Sequence, residues 1–321
     1  MHIGRNSAMC FALWSLAGLF LFVIIELDWK NENRKIVYTA VNSFQINRGN
    51  SNEHEKYQVE LDNDVIFLIM TGKPHQDRRV SLQQQTWMQY TSKTFIFSET
   101  ASALLPLIVL PNISGSYATA GPKFWDALQW AWKKFGHKTK WFVKIDDDTF
   151  VNVREVWKLL KRKDATKLRV VGRCAVFSPP KSDIPKGGLP NEWTFVDGGA
   201  GMFINSYTMQ LLNAYGFLNK SNVLQRHGEK LFEVQDTVFG EILTEIAHRE
   251  AYRHKINFTS PFDCENERLQ HACNPNHFET THCLKLPCVT LHRCREQLML
   301  YWHEQFHSNI PSPQSSTGEN K

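Results

Sequence analysis

The stretch that most constrains this chain is WFVKIDDDTFVN, residues 141–152, where an apolar segment rich in β-forming residues ends in three adjacent aspartates. In a strand, successive side chains point to opposite faces, so Asp146 and Asp148 would project to the same side and Asp147 would turn away. Two carboxylates placed in this way can share one divalent cation, and oxygen ligands favour Mg²⁺ or Mn²⁺. The stretch therefore predicts a strand that ends in a metal site. A solvated acidic turn is the alternative.

The surrounding pattern predicts an α/β domain. Apolar runs predict strands at 65–71, 93–98 and 107–110, and apolar periodicity predicts helices at 78–90 and 122–135. This order is typical of a mixed, mostly parallel sheet flanked by helices, in which ligands bind at the carboxyl ends of the strands. The chain contains neither a Gly-x-Gly-x-x-Gly motif nor a Walker loop. A bound diphosphate would therefore be held by metal and side chains.

An apolar run near the amino terminus predicts a membrane anchor. Residues 8–25 are apolar or small and just long enough to cross a bilayer, and no small-x-small cleavage pattern follows them. A cleaved signal peptide is the alternative. We expect these segments: a cytosolic tail (1–7), one transmembrane signal anchor (8–25), a polar stem (26–63), the α/β domain (64–307) and a flexible tail (308–321). The domain would then face the secretory lumen.

Cysteine usage also predicts an oxidising compartment. One cysteine lies within the apolar run, and the remaining ones are Cys174, Cys264, Cys273, Cys283, Cys288 and Cys294. Six is an even number, and five of these cysteines crowd a loop-rich carboxyl-terminal region, which favours disulfides. A zinc site is the alternative, because histidines are interspersed, but the spacings contain no Cys-x₂-Cys knuckle.

Charge and acceptor patterns fit the same location. The formal net charge of +5 over 321 residues is modest and gives no case for a nucleic-acid partner. Asn112, Asn219 and Asn257 each begin an Asn-x-Ser/Thr pattern, the acceptor for N-linked glycans in secreted domains. These features agree with a lumenal protein.

Two further segments could contribute to the site. VDGGAGMFI, residues 196–204, holds three glycines in four residues, which lets a backbone approach a ligand closely, although a tight turn before a strand would explain the run equally well. Asp236 precedes an apolar stripe and stands where a helix N-cap belongs. A general base at a helix amino terminus would be held ionised by the helix dipole, so capping and catalysis could coexist.

With these three segments in this order, the chain resembles the inverting β-1,3-glycosyltransferases that include the Fringe proteins and the core 1 β-1,3-galactosyltransferase. Four stretches carry the resemblance: VIFLIMTG with a following Thr-Trp, WFVKIDDDTFVN, VDGGAGMFI and QDTVFGEIL. They span residues 65–240, and the likeness continues more loosely to the end. The resemblance implies a GT-A fold, a UDP-sugar donor and Mn²⁺, with Mg²⁺ as the alternative ion.

The resemblance also implies roles for individual residues. Asp146 and Asp148 would ligate the metal together with His292, which best fits a late histidine of the family pattern. Asp236 falls on the carboxylate that acts as the base. The residues assigned to donor binding are Asp147, Lys123, Gly199 and Gly201.

The chain departs from the family pattern in two places. Residues 257–262 (NFTSPF) stand where the family has a Phe-His segment, so the metal would need His292 or Asp263 instead. Gln235 replaces the acidic residue that usually precedes the base. Arg79 could contact phosphate or uracil, but we expect it to be a surface charge.

The resemblance implies transfer from a UDP-sugar to an O-glycosylated protein. The leading hypothesis is a core 1 synthase-like β-1,3-galactosyltransferase that extends O-linked GalNAc, held in the Golgi membrane, or that of the endoplasmic reticulum, as a single-pass type II protein. A Fringe-like β-1,3-N-acetylglucosaminyltransferase acting on O-fucose is the alternative. A non-catalytic lumenal chaperone of the same fold and an anchored lectin are further alternatives, and a homodimer is left open.

Overall fold

The computed structural model describes residues 59–110, 113, 120–178, 192–232, 234–266, 268–270, 273, 283 and 288–307. The expected cytosolic tail, membrane anchor, most of the stem and the carboxyl-terminal tail lie outside these residues, and so does Asn112. Within the described ranges, no helix has the length and apolar character needed to cross a bilayer. The assignments made outside these ranges remain predictions.

Strands and helices alternate along the described residues. The strands are β1 (Val65–Met70), β2 (Thr94–Ser98), β3 (Leu107–Val109), β4 (Trp141–Asp146), β5 (Phe150–Val151), β6 (Val170–Gly172), β7 (Cys174–Phe177), β8 (Trp193–Val196), β9 (Met202–Asn205), β10 (Phe262–Cys264), β11 (Leu269–Gln270) and β12 (Thr290–Leu291). The helices are α1 (Ser81–Gln85), α2 (Ala120–Phe135), α3 (Val153–Lys161), α4 (Ser206–Ala214), α5 (Lys220–Phe232), α6 (Gln235–His254) and α7 (Glu296–His307).

The central sheet has seven strands in the order β10-β6-β9-β4-β1-β2-β3. β9 runs antiparallel to both of its neighbours, and the other pairings are parallel. The predicted α/β architecture with a mixed, mostly parallel sheet is therefore confirmed. Two smaller sheets, β11-β12-β5 and β7-β8, complete the strand pairing.

The sheet is buried on both faces, as continuous apolar strands require. Along β1, Phe67 and Ile69 join one hydrophobic cluster, while Ile66 and Leu68 join the other. The first cluster packs against side chains of α3 and α7, and the second packs against α2 and α6. β1 and β4 pair in register from Val65 opposite Trp141 to Met70 opposite Asp146. The carboxyl ends of the two central strands therefore meet where the aspartate triplet begins.

One predicted helix is interrupted. Instead of a single helix over 78–90, the chain forms a π-helical turn at Gln76–Val80, then α1, then a 3₁₀ turn at Trp87–Tyr90. Thr86 leaves the helical conformation, and its hydroxyl donates to the carbonyl of Leu82 at 2.7 Å. Side-chain bonds of this kind compete with helix continuation. The break allows the Trp87 ring to be fully buried in the core.

Three disulfides stabilise the domain, as predicted, and they exclude the zinc alternative. The pairs are Cys174–Cys264, Cys273–Cys294 and Cys283–Cys288. The first connects the start of β7 to the end of β10, across a sequence separation of 90 residues. The last closes a separation of only 5 residues.

The loop lengths predict unequal contributions to stability. Cross-linking a longer loop removes more chain entropy from the unfolded state. We expect the Cys174→Ser/Cys264→Ser variant to lose about 4 kcal/mol of unfolding free energy in urea, and the Cys283→Ser/Cys288→Ser variant about 2 kcal/mol. Equal losses in the two variants would contradict this loop-entropy account.

Candidate active site

Two aspartates and a distant histidine converge at the carboxyl edge of the central sheet. Asp146 ends β4, Asp148 follows two residues later, and His292 comes directly after β12. The Nε2 atom of His292 lies 3.2 Å from Oδ1 of Asp148 and 3.8 Å from Oδ2 of Asp146. One ligand atom from each of the three residues lies within 4.8 Å of the others. This donor set suits a divalent cation, since two carboxylates and an imidazole serve Mn²⁺ or Mg²⁺.

Backbone pairing brings His292 to this place. β12 runs antiparallel to β5, with Leu291 opposite Phe150 just past the triplet. The backbone N–H of His292 donates to the carbonyl of Gln270 at 3.0 Å, and that of Cys294 donates to the carbonyl of Asp148 at 2.7 Å. The Cys273–Cys294 disulfide lies two residues beyond the imidazole.

The other proposed substitute for the missing family histidine lies elsewhere. Asp263 is on β10, where Oδ1 accepts from Nζ of Lys163 at 2.9 Å and Oδ2 accepts from Arg169. Its two carboxylate oxygens are occupied by cations of the protein. Of the two candidates, the structure brings His292 and not Asp263 to the triplet.

Two protein cations hold the outer oxygens of the metal-site carboxylates. Nζ of Lys144 donates to Oδ1 of Asp146 at 2.8 Å, and Arg79 lies 3.5 Å from Oδ2 of Asp148. The remaining oxygens, Asp146 Oδ2 and Asp148 Oδ1, face His292. Outer partners of this kind orient ligands before a metal binds. Arg79 thus belongs to the site, and its expected role as a surface charge was wrong.

Charge pairing also shifts the proton affinities of the triad. Burial lowers the pKa of His292. The hydrogen bond with Asp148 and the charges of Asp146, Asp148 and Asp197 together raise that pKa by more than burial lowers it, so the net shift is upward. Burial raises the pKa of Asp148, and the stronger opposing effects of His292 and Arg79 bring it below its usual value. A proton and a metal ion therefore compete for the same imidazole.

The middle aspartate of the triplet binds protein groups. Asp147 is buried, its Oδ2 accepts from the hydroxyl of Thr71 at 2.6 Å, and its Oδ1 accepts from Arg79 at 2.8 Å. Burial is the main reason that its pKa lies above the usual value, against the lowering effects of Thr71 and Arg79. Asp147 turns away from the metal ligands, as predicted. Its oxygens accept from Thr71 and Arg79, and its contact with a donor stays a prediction.

Asp236 lies in the first turn of α6 but does not cap the helix. The N-cap is Val234, and no side chain caps the helix. Oδ2 of Asp236 instead accepts the backbone N–H of Gly198 at 2.9 Å, while Oδ1 is buried without a donor among the described residues. Burial is the largest cause that raises the pKa of Asp236, to about 6, against the lowering effects of Lys144 and Gly198. A carboxylate with this proton affinity suits a general base at neutral pH.

The glycine run makes room for these side chains. A Cβ on Gly198 would lie 2.5 Å from Oδ1 of Asp236, and one on Gly199 would lie 2.2 Å from Cε1 of His292. Gly201 has a φ of +109°, which only glycine adopts readily. The N–H of Gly199 already donates to Asp197 at 3.0 Å. These glycines pack closely against protein groups, and their donor contacts stay a prediction.

Lys123 lies at the carboxyl ends of β1 and β2, but its charge is already paired. Its Nζ donates to Oε2 of Glu99 at 2.7 Å and to the carbonyl of Thr71, and the residue is buried. Thr71 in turn bonds Asp147, so this pair is connected to the triplet. Lys123 thus lies at the edge of the sheet where donor binding was expected. Its ammonium group is part of a buried salt bridge with Glu99.

The prediction from sequence missed Lys144. The side chain is 1% exposed and lies on β4, two residues before Asp146. A strand places residues two apart on the same face, and a lysine inside an apolar strand needs a buried partner. The pattern Lys-x-Asp at the end of an apolar strand could therefore have predicted that Lys144 pairs with Asp146.

Comparison with known proteins identifies the family. A family model described as Fringe-like matches residues 60–260. The chain belongs to the Fringe-like family. The resemblance inferred from the four stretches is thereby confirmed.

Individual relatives of this Fringe-like protein are distant. Lunatic fringe of Xenopus laevis, a β-1,3-N-acetylglucosaminyltransferase, is 24% identical over 264 residues, which cover 70% of this chain and 68% of that protein. Chondroitin sulfate synthase 3 of Mus musculus is 23% identical over 153 residues, covering 44% of this chain and 17% of that protein. The glycosyltransferase GlyE of Streptococcus pneumoniae TIGR4 aligns with a TM-score of 0.42 at 10% identity, over 76% of this chain and 60% of that one.

The packing of Gly199 gives a test of the metal site that removes no ligand. Gly199→Ala would force the His292 ring to move, since the added Cβ would lie 2.2 Å from it. We expect Mn²⁺ affinity, measured by electron paramagnetic resonance, to fall by about tenfold or more, as for the loss of an orienting partner. Gly72→Ala is the matched control, because its Cβ would meet no atom closer than 3.4 Å. Equal Mn²⁺ affinity in the two variants would argue against His292 as a ligand.

Proposed function

We propose that this Fringe-like protein is a metal-dependent inverting β-1,3-glycosyltransferase with a GT-A fold and a UDP-sugar donor. The observation that carries the proposal is the pairing of a cation site with a separate carboxylate of raised pKa. Asp146 and Asp236 both lie near one buried ammonium group, that of Lys144. A cation site next to a base is what a single displacement at a nucleotide sugar requires.

The metal site supports a role in donor binding. Asp146, Asp148 and His292 would hold Mn²⁺ or Mg²⁺ through the atoms that already converge. When bound, such an ion neutralises a diphosphate and stabilises it as a leaving group. Arg79 adds a second positive charge at this edge, and 31% of its side chain is exposed, so its guanidinium could also contact phosphate.

Asp236 is proposed as the general base. It accepts the proton from the 3-hydroxyl of an acceptor sugar while that oxygen attacks the anomeric carbon of the donor from the face opposite UDP. The bond from the anomeric carbon to UDP breaks as the new bond forms, which converts an α-linked donor into a β-linked product. The buried Oδ1 atom lacks a donor among the described residues, and an incoming hydroxyl would supply one.

Two donor and acceptor pairs follow from different observations. The fringe relatives favour transfer of N-acetylglucosamine, because each is named as a β-1,3-N-acetylglucosaminyltransferase; O-fucose would then be the acceptor. The stretches VIFLIMTG and WFVKIDDDTFV favour transfer of galactose to O-linked GalNAc, since they look closer to the core 1 enzyme. The comparisons thus give the alternative hypothesis more weight than the leading one.

The location proposed is the lumen of the secretory pathway, in the Golgi membrane through an anchor at 8–25. The three disulfides support an oxidising compartment. Asn219 and Asn257 are both exposed, as N-glycan acceptors must be.

An activity panel tests the donor and the acceptor together. The full chain is produced in eukaryotic cells, and UDP release is measured with Mn²⁺ over a matrix of UDP-sugars and O-linked acceptors. Transfer from UDP-GlcNAc to O-fucose would establish the Fringe-like activity, and transfer from UDP-galactose to a GalNAc-peptide the core 1 activity. Failure to bind UDP with Mn²⁺ would favour the chaperone or lectin alternatives.

Two substitutions separate donor binding from chemistry. Asp148→Ala should abolish Mn²⁺-dependent binding of UDP, measured by calorimetry, because it removes a ligand. Asp236→Asn should retain that binding and lose turnover by about 10²- to 10⁴-fold, the usual contribution of a general base. The same turnover in Asp236→Asn and in the unmodified protein would sink the base assignment.

The pH dependence of the unmodified protein follows from the same carboxylate. Since the pKa of Asp236 is raised to about 6, the base is ionised above that pH and protonated below it. The ratio kcat/KM, which reports the free enzyme, should therefore fall as the pH drops through about 6, and Asp236→Asn should lack this acidic limb. A limb that persists in Asp236→Asn would assign it to another group.

A further inference from the structure

One fully buried ammonium group lies between the metal site and the proposed base. Nζ of Lys144 is 2.8 Å from Oδ1 of Asp146. A Cβ added to Gly198 would lie 2.8 Å from that Nζ and 2.5 Å from Oδ1 of Asp236. The lysine and the Asp236 carboxylate are therefore within about 5 Å of each other, a range at which opposite charges attract strongly away from water. Lys144 is thus shared between two carboxylates with different roles.

The charges around Asp236 make this ammonium necessary. Asp146, from the end of β4, and Asp197, after β8, both raise the proton affinity of Asp236, and burial raises it most. The groups that oppose them are Lys144 and the backbone N–H of Gly198. Asp146 also faces His292, and Asp197 also faces Arg173 and the N–H of Gly199. Without the lysine, Asp236 itself would keep only the hydrogen bond from the backbone N–H of Gly198 among the described residues. Carboxylates in such a cluster take up protons instead of remaining charged.

We propose that Lys144 is a positioning residue that holds the Asp236 carboxylate ionised and in place while it orients the Asp146 ligand of the metal site. The catalytic meaning of this role rests on the proposed function. The electrostatic role does not, because it can be measured on the protein without donor, acceptor or metal.

The side chain of Lys144 is 1% exposed, and its ammonium group pairs with Oδ1 of Asp146 at 2.8 Å, so it is the buried positive charge beside Asp236. Replacement by methionine keeps a similar volume and removes the charge. The pKa of Asp236, already raised to about 6, would then rise further. A protonated Asp236 at neutral pH cannot accept the proton of an acceptor hydroxyl.

The electrostatic test compares the unmodified protein with Asp236→Asn, whose amide cannot ionise, by urea unfolding of the full chain in EDTA from about pH 4 to about pH 9. The native pKa of about 6 exceeds the usual value of 3.8, so ionisation of Asp236 opposes folding. Asp236→Asn should therefore gain stability relative to the unmodified protein as the pH rises from about 4, and the gain should level off above about 6. In the Lys144→Met background, we expect the gain to continue at least one pH unit higher. The same plateau in both backgrounds would overturn the proposal.

The kinetic test uses the donor and acceptor found in the panel. Lys144→Met should lower kcat at pH 7 by about tenfold or more, move the acidic limb to higher pH by at least one unit, and change KM for the donor much less. Lys163→Met is the matched control, since it removes a lysine paired with Asp263 and Glu265 at a distant sheet edge. An unshifted limb in Lys144→Met would contradict the role.

If Lys144→Met fails to fold, the double variant Lys144→Met/Asp236→Asn shows whether the lost charge or the lost packing is the cause. If Lys144→Met does not fold but Lys144→Met/Asp236→Asn does, the loss comes from an uncompensated Asp236, which supports the proposal. If both fail alike, Lys144 serves packing and the proposal is wrong. A shifted stability plateau without any transfer in the panel would keep the role of Lys144 and reject the transferase function. Transfer in the panel together with an unshifted stability plateau would support the transferase function and reject the role of Lys144.

Discussion

The structure of this site depends on the neutralisation of buried carboxylates by two protein cations. Arg79 binds both Asp147 and Asp148, and Lys144 binds Asp146. Three adjacent aspartates would otherwise repel one another at the edge of a buried sheet, where burial strengthens the repulsion. Because each cation occupies an outer oxygen, the inner oxygens remain to converge with His292. The same interactions that make the triplet tolerable therefore give it the geometry of a metal site.

The fold supplies the rest of this geometry through strand ends. β1 and β4 end together, so that Thr71 and Arg79 meet Asp147, and β12 brings His292 beside them from far along the chain. The glycines after β8 leave the space that the His292 ring and the Asp236 carboxylate occupy. The candidate metal ligands are thus positioned by backbone pairing, and close approach is possible because side chains are absent at Gly198 and Gly199.

Local pattern was enough to predict much of this arrangement. Apolar runs identified the central strands, and the two-residue spacing of Asp146 and Asp148 was enough to place both on one side. Non-local pairing was harder to predict. Nothing near Arg79 in the sequence shows that it bonds Asp147, and the pairing of Lys144 with Asp146 became evident only once β4 was seen to be buried. The glycine run shows the limit most clearly, since the same residues could approach a ligand or a side chain. The break at Thr86 comes with a bond from its hydroxyl to the backbone and with the burial of Trp87, and helical periodicity reveals neither.

The Cys273–Cys294 disulfide has a consequence for how this protein matures. His292 lies two residues from that bond, and the N–H of Cys294 is bonded to the backbone of Asp148. Formation of this bond would restrain the backbone that carries the imidazole beside the two aspartates. In the reduced protein both aspartates would be unchanged, but the imidazole would be held less firmly. The proposed cation site would thus depend on the redox state of a bond that contributes no ligand of its own.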